Sequence, residues 1–328
     1  MNDLRIATRG SPLALWQAEH VRSLLRGLGI GGSISLLVLK TQGDLILDRP
    51  LSAVGGKGLF TKEIEAALLD GRADLAVHSA KDLPWDLPAG LTLAAIPPRA
   101  DVRDALIVRP GLSVRGRESH GPLSGLPHAV RVGTSSLRRA CQLRHLRPDL
   151  QIVPLRGNVD TRLRRVQVGE LDAAVLASAG LSRLGLAEHI AESLDPLEML
   201  PACGQGALGI ECRSDDKSLL LALHRLADAG ATAAVQAERA FSRRLGGSCH
   251  TPIGALATCA TDDSLLTIRG MVGSLDGTRI LRAERTGPVS HPIELGAALG
   301  NELLAQGALA LLGEVASEVR EPARLGAA

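Results

Sequence analysis

Aromatic side chains are almost absent from this chain of 328 residues, which has two tryptophans, two phenylalanines and no tyrosine. A protein that stacks nucleic-acid bases needs more rings than this. Lysine is scarce as well, with five residues among 37 basic ones, and the net charge is only +2. Both deficits argue against a nucleic-acid partner.

Disulfide, metal and membrane patterns are also missing. The five cysteines, Cys141, Cys203, Cys212, Cys249 and Cys259, show neither metal-ligand nor disulfide spacing. No apolar signal-peptide region follows Met1, and polar residues interrupt the apolar run 295–315, which predicts a buried helix instead of a membrane span. We therefore expect a cytoplasmic protein with reduced thiols, no bound metal and no membrane partner.

Arginine supplies most of the positive charge. Its planar fork of N–H donors binds carboxylate or phosphate in a bidentate manner, which lysine does not do. A genome rich in G and C would also raise the arginine count. The positions of the arginines therefore carry more information than their number.

Strand and helix patterns alternate in the first part of the chain. Strands are predicted at 4–8, 34–39 and 74–77, and helices at 11–28 and 61–70. Ser11 and Pro12 are typical of a helix start. The glycine-rich stretch 41–58 predicts a long loop. Alternation of this kind predicts an α/β fold with a largely parallel sheet.

The pattern then repeats. Arg5-Ile6-Ala7-Thr8 before Ser11 is similar to Arg131-Val132-Gly133-Thr134 before Ser136, and 71–77 is similar to 169–175. Two such pairs predict two related α/β domains that face each other across a cleft. We assign 1–98 with 201–224 to the first domain and 103–200 to the second. A strand at 207–212 is expected to return to the first sheet.

A different pattern begins near residue 231. Strands are predicted at 253–259, 265–272 and 280–285, followed by two helices. This order predicts a smaller third domain, residues 229–328, of the α+β class with an antiparallel sheet.

Two helix starts combine hydroxyls, free backbone N–H groups and arginines. They are Thr8-Arg9-Gly10-Ser11 and the run 134–139 with two arginines. The turn from Arg156 to Arg162 is a third strand-to-helix turn, with arginines at both ends and Asn158 as the cap. A helix start binds anions through its dipole and its unpaired N–H groups. Capping alone would explain the hydroxyls, and a solvated helix face would explain Arg164 and Arg165. We favour Arg162 for ligand binding.

His78-Ser79-Ala80-Lys81-Asp82 follows a buried strand, where the carboxyl ends of parallel strands face a cleft. From the residues alone, Lys81 and Asp82 are equally consistent with an exposed ion pair and with a catalytic pair. No Walker motif, GxGxxG, HExxH or GxSxG pattern occurs, so nucleotide hydrolases, dinucleotide enzymes, zinc proteases and α/β-hydrolases are poorly supported.

Cys249 lies in a predicted loop after a helix that Gly246 and Gly247 end. The glycines leave space beside the thiol for a bulky group. A lone cysteine in a turn is more often a small buried side chain, so the loop by itself leaves both interpretations open.

These motifs together resemble the porphobilinogen deaminase family, also called hydroxymethylbilane synthase. The similar segments run nearly end to end. They are Arg5 to Arg9, Ser11 to Gln17, Gly55 to Phe60, Ala76 to Asp82, Gly133 to Arg139, Leu155 to Val159, Gly204 to Gly206 and the Cys249 loop. The resemblance implies two lobes like those of periplasmic binding proteins and a smaller third domain.

The resemblance further implies an activity. The family joins four porphobilinogen molecules head to tail into the linear tetrapyrrole hydroxymethylbilane and releases ammonia at each step, in haem biosynthesis. Its cofactor is a dipyrromethane primer, which is attached by a thioether to the cysteine that corresponds to Cys249. A monomer is expected. The competing interpretation is a two-domain anion-binding module, which the Cys249 loop and the third domain do not fit.

Site residues follow by match to the family. Asp82 is the expected catalytic residue. The expected cofactor- and substrate-binding residues are Arg9, Ser11, Lys81, Thr134, Ser136, Arg138, Arg139, Arg156, Arg162 and Arg183. Further candidates are Phe60, Ser79, Arg99 and Gln205. Ala53, Gly10 and the segment 111–121 depart from the family pattern, so substrate affinity could differ there.

Overall fold

Three β-sheets organise the molecule, in a computed structural model that describes residues 3–45, 58–112, 114, 123–247, 251–262 and 264–320. Cys249, Ala53 and most of the segment 111–121 lie outside the described residues.

Strands and helices alternate through the first two sheets. The elements up to residue 108 are β1 (Leu4–Arg9), α1 (Pro12–Gly27), β2 (Ile34–Leu39), α2 (Gln42–Leu45), α3 (Lys62–Leu69), β3 (Leu75–Ser79), β4 (Leu91–Ala95) and β5 (Asp104–Val108). Those that follow are β6 (Arg131–Gly133), α4 (Leu137–Leu146), β7 (Gln151–Val153), α5 (Val159–Gln167), β8 (Ala173–Ala177), α6 (Ser178–Arg183), β9 (Glu192–Ser193), β10 (Leu208–Arg213) and α7 (Lys217–His224). Two 3₁₀ turns, Ala80–Asp82 and Ala187–His189, join these elements.

The third sheet comes from the remaining elements, α8 (Ala229–Arg244), β11 (Ile253–Cys259), β12 (Leu265–Gly273), β13 (Ile280–Pro288), α9 (Pro292–Ala305) and α10 (Ala308–Arg320). Its strands form an antiparallel meander in the order β11-β12-β13. The predicted α+β character of this part is confirmed.

The two five-stranded sheets share one topology. Their strand orders are β2-β1-β3-β10-β4 and β7-β6-β8-β5-β9. In each sheet the fourth strand is antiparallel to its neighbours, and it is the strand that follows a crossing from one sheet to the other. The first crossing is residues 96–103, before β5, and the second is residues 194–207, before β10. The predicted pair of similar, largely parallel α/β domains is confirmed, with one antiparallel strand in each. The strand expected at 207–212 is β10, in the first sheet. The residue limits of the three domains stay a prediction.

Buried central strands explain the continuous apolar runs in the sequence. Leu75 and Val77 of β3 pack into the core that contains α1, while Ala76 packs into the core that contains α3. Side chains alternate along a strand, so a strand covered by helices on both faces is apolar at every position.

Polar side chains at helix starts take up unpaired backbone N–H groups, as the sequence predicted for α1. Ser11 caps α1 and Ser136 caps α4, while Asn158 caps α5 and Asp228 caps α8. In each of these helices the cap therefore gives one backbone N–H of the first turn a partner within the chain.

The expected long loop at 41–58 is wrong for its first residues, which form the short helix α2. Asp44 accepts hydrogen bonds from the backbone N–H and the hydroxyl of Thr41, at 3.2 and 2.8 Å. The ring of Phe60 lies against Gly43, where a Cβ would be only 2.1 Å from it. These contacts give order to a stretch that its composition marks as a loop. Residues 46–57 lie outside the described residues.

No single helix in the described part of the chain is long and apolar enough to cross a membrane. One pair, Pro292–Ala305 with Ala308–Glu314, meets the length and composition only when combined, across a bend of 76°.

Candidate active site

Two adjoining pockets lie where β1 and β3 end. The first has an empty volume of about 430 Å³, part of it open to solvent, and is lined by Arg9, Ser11, Leu13, Ala14, Gln17, Phe60, Thr61, Ile64, Val77, His78, Ser79 and Asp82. The second has an empty volume of about 530 Å³, also partly open to solvent, and is lined by Leu13, Ser79, Lys81, Arg139, Val159, Arg162, Leu176, Ala177, Ala179, Gly180, Arg183, Gly206 and Ala207. The second pocket has side chains from both five-stranded lobes, so it occupies the cleft between them.

Asp82 and Lys81 face different pockets although they are neighbours in sequence. Both belong to the 3₁₀ turn that follows β3, Asp82 lining the first pocket and Lys81 the second. The expected position of these residues at the cleft is therefore observed. Ser79 lies at the boundary and accepts a hydrogen bond from Gln17 Nε2 at 2.9 Å.

The first pocket contains one arginine that already has a protein partner. Arg9 forms an ion pair with Asp44, and its guanidinium lies 4.2 Å from the centre of the Phe60 ring. Burial opposes ionisation of Asp44, but hydrogen bonds from Arg9 and Thr41 hold its pKa below the usual value. A ligand carboxylate would share Arg9 with Asp44.

Three cations of the second pocket have no such partner. Among the described residues, Lys81, Arg162 and Arg183 form no salt bridge, although Arg162 donates to Gly157 O at 2.7 Å and Arg183 to Gly206 O at 2.8 Å. Burial lowers the pKa of Arg162 and of Arg183 to about 10. At Arg162 the positive charges of Arg139 and Arg156 also lower the pKa, whereas the negative charge of Asp82 acts in the opposite direction.

Lys81 supplies the ammonium group among the residues that line this pocket. Burial lowers its pKa to about 8, and the positive charges of Arg139 and Arg138 act in the same direction, against Asp82 and Asp104. Cations that outnumber the nearby carboxylates are costly in a cleft of low dielectric. The pocket is therefore suited to a ligand with several carboxylates.

Arg138 and Arg139 are tied to a buried carboxylate. Asp104 accepts from Arg138 Nη1 at 2.7 Å, from Arg139 Nη2 at 2.8 Å and from Gln205 Nε2 at 2.9 Å. Arg139 also lines the second pocket, whereas Arg138 donates to Leu200 O at 2.6 Å and lines neither pocket. Arg138 thus contacts the second crossing between the lobes, at Leu200.

Two other predicted site residues, Thr134 and Ser136, accept hydrogen bonds from backbone N–H groups. The buried Thr134 accepts from Ser136 N at 3.2 Å, and Ser136 caps α4 by accepting from Arg139 N at 3.4 Å. Arg156 is half-buried in the turn before α5. None of these three lines either pocket.

Arg99 belongs to a separate cluster. Its two Nη atoms donate to Glu238 at 2.7 and 3.0 Å, and its Nε donates to Gln205 O at 2.9 Å. Glu238 also accepts from the backbone N–H groups of Gly204 and Ala257, at 2.6 and 2.8 Å. Arg99 thus connects the crossing between the lobes to α8, and it lines neither pocket.

A cluster of buried ionisable groups lies behind the first pocket. His78 Nε2 and Glu211 Oε2 are 3.0 Å apart, and Glu65 of α3 is buried nearby. Burial raises the pKa of Glu65, and the negative charge of Glu211 raises it further, while Thr61, His78 and Lys62 act in the opposite direction. Within the described ranges no group of three His, Cys, Asp or Glu side chains is arranged to hold a metal ion.

Sequence reasoning missed Gln17, Asp44 and Asp104. Gln17 alone had a local signal, since it is a polar residue on the buried face of α1. Asp44 and Asp104 pair with arginines that are 34 or 35 positions away in the sequence. Nothing in the local pattern distinguishes them.

The fold and the site define a protein of two α/β lobes and a smaller third part, with a cleft suited to a polycarboxylate ligand beside one aspartate. Comparison with known proteins agrees and goes further. A family model described as "Porphobilinogen deaminase, dipyromethane cofactor binding domain" matches residues 4–220, and one described as "Porphobilinogen deaminase, C-terminal domain" matches 232–305. The chain belongs to the porphobilinogen deaminase family.

Curated relatives match over almost their whole length. The porphobilinogen deaminase of Roseiflexus castenholzii is 54% identical over 311 residues, which are 95% of this chain and 99% of the relative. That of Bordetella parapertussis is 52% identical over 312 residues, covering 95% and 96%. Among solved structures, an ancestral cationic amino acid solute binding protein is 14% identical, covers 68% of this chain and 87% of its own, and has a TM-score of 0.41.

The resemblance stated from the motifs is therefore confirmed. The chain is an enzyme of tetrapyrrole biosynthesis that polymerises porphobilinogen, and its cofactor is the family's dipyrromethane. The alternative of a simple anion-binding module does not explain these matches. The roles of single residues are a separate question.

Proposed function

We propose that Asp82 is the catalytic carboxylate of this enzyme, that Cys249 carries the dipyrromethane, and that the second pocket binds carboxylates of the cofactor and the growing chain. The observation that carries the proposal is the placement of Asp82 and Lys81. They are consecutive residues that line two adjoining pockets, one of which contains three cations without salt bridges among the described residues.

The side chains present fit the cofactor. Each pyrrole ring carries an acetate and a propionate, so a dipyrromethane brings four carboxylates that need partners when they leave water. Lys81, Arg162 and Arg183 offer charged donors, and Arg139 can share its guanidinium between Asp104 and a ligand. When bound, the cofactor supplies a free pyrrole α-carbon as the nucleophile for chain extension.

Asp82 would act on positive charge. Heterolysis of the C–N bond in protonated porphobilinogen sends the electron pair to nitrogen, releases ammonia and leaves a methylene-pyrrolenine cation. A new C–C bond would then form between that methylene and the free pyrrole α-carbon, and the ring that carries this α-carbon would lose the proton on it. A fixed carboxylate in a partly enclosed pocket stabilises the cation as it develops and can accept the proton.

The other residues expected from the family match fall into two groups. Arg9 and Ser11 line the first pocket with Phe60 and Ser79, where an incoming substrate would meet Asp82. Thr134, Ser136, Arg138, Arg156, Arg99 and Gln205 line neither pocket, and for them ligand contact stays a prediction from the family match. Cytoplasmic location and a monomeric state likewise stay predictions from the sequence.

Replacement of Asp82 by Asn tests the catalytic role. We expect kcat to fall by roughly 10²–10³-fold, the typical loss when one electrostatic contact to a transition state is removed. The intact mass should still exceed that of the bare chain by two pyrrole units, whereas Cys249→Ser should lack this excess. The matched control is Asp86→Asn, an exposed carboxylate paired with Arg243, which should leave kcat within about twofold. Normal turnover in Asp82→Asn would refute the role of Asp82.

A further inference from the structure

The segment directly after Asp82 is held by the third part of the molecule. Arg239 of α8 donates from Nη2 to Pro84 O at 2.7 Å and to Trp85 O at 2.9 Å. One turn further along α8, Arg243 forms an ion pair with Asp86 at 3.0 Å. Arg239 Nη1 also donates to Leu83 O at 3.5 Å, so this one helix contacts four consecutive residues, 83–86, the first of which directly follows Asp82.

Local structure alone holds Asp82 weakly. Its 3₁₀ turn is closed by a long hydrogen bond, Leu83 N to Ala80 O at 3.3 Å. Pro84 has no N–H with which to extend that turn. β4 does not begin until Leu91. The two hydrogen bonds from Arg239 to the Pro84 and Trp85 carbonyls are therefore well placed to fix the direction in which the chain leaves Asp82.

The helix that supplies this contact is itself fixed in position. Glu238, the residue before Arg239, accepts four hydrogen bonds from Arg99, Gly204 and Ala257 while fully buried. These bonds fix the rotation of α8 about its axis and its position relative to both crossings between the lobes, through Arg99 of the first and Gly204 of the second. Arg239 is half-buried beside them. The guanidinium of Arg239 therefore donates to the Pro84 and Trp85 carbonyls from a helix whose position is fixed.

We propose that Arg239 is a positioning residue for Asp82, which couples the helix leading towards Cys249 to the catalytic carboxylate of the first lobe. The proposal rests on the catalytic role of Asp82 given above. Arginine suits this task because one terminal nitrogen can donate to two carbonyls in a fixed plane, whereas a lysine ammonium has no such plane. A shift of about 1 Å in a reacting group can cost roughly 100-fold in rate.

The test compares Arg239→Gln and Arg239→Lys with the control Arg243→Gln. Arg243→Gln removes a cation of the same helix that contacts the same segment, at Asp86. Both side chains of that ion pair are more than half exposed. We expect kcat to fall roughly 10–100-fold in Arg239→Gln, with KM within about threefold, and less in Arg239→Lys. Arg243→Gln should change neither by more than about twofold.

Two further readouts separate positioning from general damage. Hydrogen exchange of the backbone amides in 82–87 should speed up at least tenfold in Arg239→Gln, while α8 and the third sheet keep wild-type protection. In an Asp82→Asn background, Arg239→Gln should add less than about twofold to the loss, because a residue that acts through Asp82 has nothing left to position. Intact mass should show the dipyrromethane on both variants.

An unchanged kcat in Arg239→Gln would overturn the proposal, as would a full multiplicative loss in the Asp82→Asn background. If Arg239→Gln does not fold, Arg239→Lys carries the test, since it keeps the charge and loses only the fork. Wild-type kcat and amide exchange in that variant would then overturn it. Activity retained by Asp82→Asn alone would instead refute the catalytic role, before Arg239 enters the comparison.

Discussion

Replacement of Asp104 by Asn would leave two arginines in the protein interior without their counter-charge. Asp104 is completely buried, and the side chains of Arg138 and Arg139 are only 4% and 7% exposed. An isosteric amide keeps the volume but removes the charge, and its NH₂ group would face guanidinium donors. Breaking a buried ion pair by removing one partner costs about 3–5 kcal/mol. We expect a loss of stability in this range.

The pH dependence gives a second check. The two guanidiniums hold the pKa of Asp104 far below its usual value, although burial by itself would raise it. A carboxyl with a depressed folded pKa stabilises the fold above its ordinary pKa of about 4 and loses that contribution as the pH falls through the folded value. The stability gap between wild type and variant should therefore be constant from about pH 5 to 8 and shrink below about pH 4.

Urea unfolding followed by circular dichroism at several pH values measures both effects. Asp101→Asn is the matched control. Asp101 lies in the crossing directly before Asp104 and pairs with Arg103 at 2.8 Å, but both of these side chains are substantially exposed. That pair should contribute less than about 1 kcal/mol. Equal losses in the two variants, or a gap for Asp104 that does not change in acid, would refute the reasoning.

Two more predictions concern stability. Glu65→Gln should stabilise the protein at neutral pH. Burial raises the folded pKa of Glu65, so the wild-type protein loses stability as the pH rises from about 4 through that folded value. The amide introduced by Glu65→Gln has no proton to release, so the variant does not lose stability in this way. Urea midpoints between pH 4 and 7 measure this, and a variant less stable than wild type at pH 7 would contradict it. Gly296→Ala should destabilise by about 1–3 kcal/mol, because its Cβ would lie 2.0 Å from Ala237 O where α9 crosses α8. The control Gly313→Ala, with open space around the Cβ, should be neutral or slightly stabilising, and urea unfolding measures both glycine variants.

Local patterns in the sequence were sufficient for the strands and helices near the site. Ser11 and Ser136 cap their helices as predicted, because a cap depends only on residues within one turn. The run before Lys81 was predicted as a buried strand for a similarly local reason. The repeat of 5–11 in 131–136 also anticipated the shared topology of the two sheets.

Long-range partners could not be predicted in this way. Arg99 was a candidate for ligand binding, yet Glu238, which binds it, is 139 positions away. The helix α2 depends on contacts of Asp44 with Arg9 and of Gly43 with Phe60, so composition alone suggested a loop.

The sequence by itself determined the family, the chemistry expected of Asp82 and Cys249, and the excess of arginine suited to carboxylates, because residue type and spacing along the chain carry that information. The tertiary structure decided which arginines are available to a ligand. Arg138 is neutralised by Asp104 at a crossing between lobes, whereas Arg162 and Arg183 enter the cleft without a salt bridge to any described residue. The difference depends on which acidic residue the fold brings within about 3 Å, and pairing at that range is set by packing of elements distant in sequence.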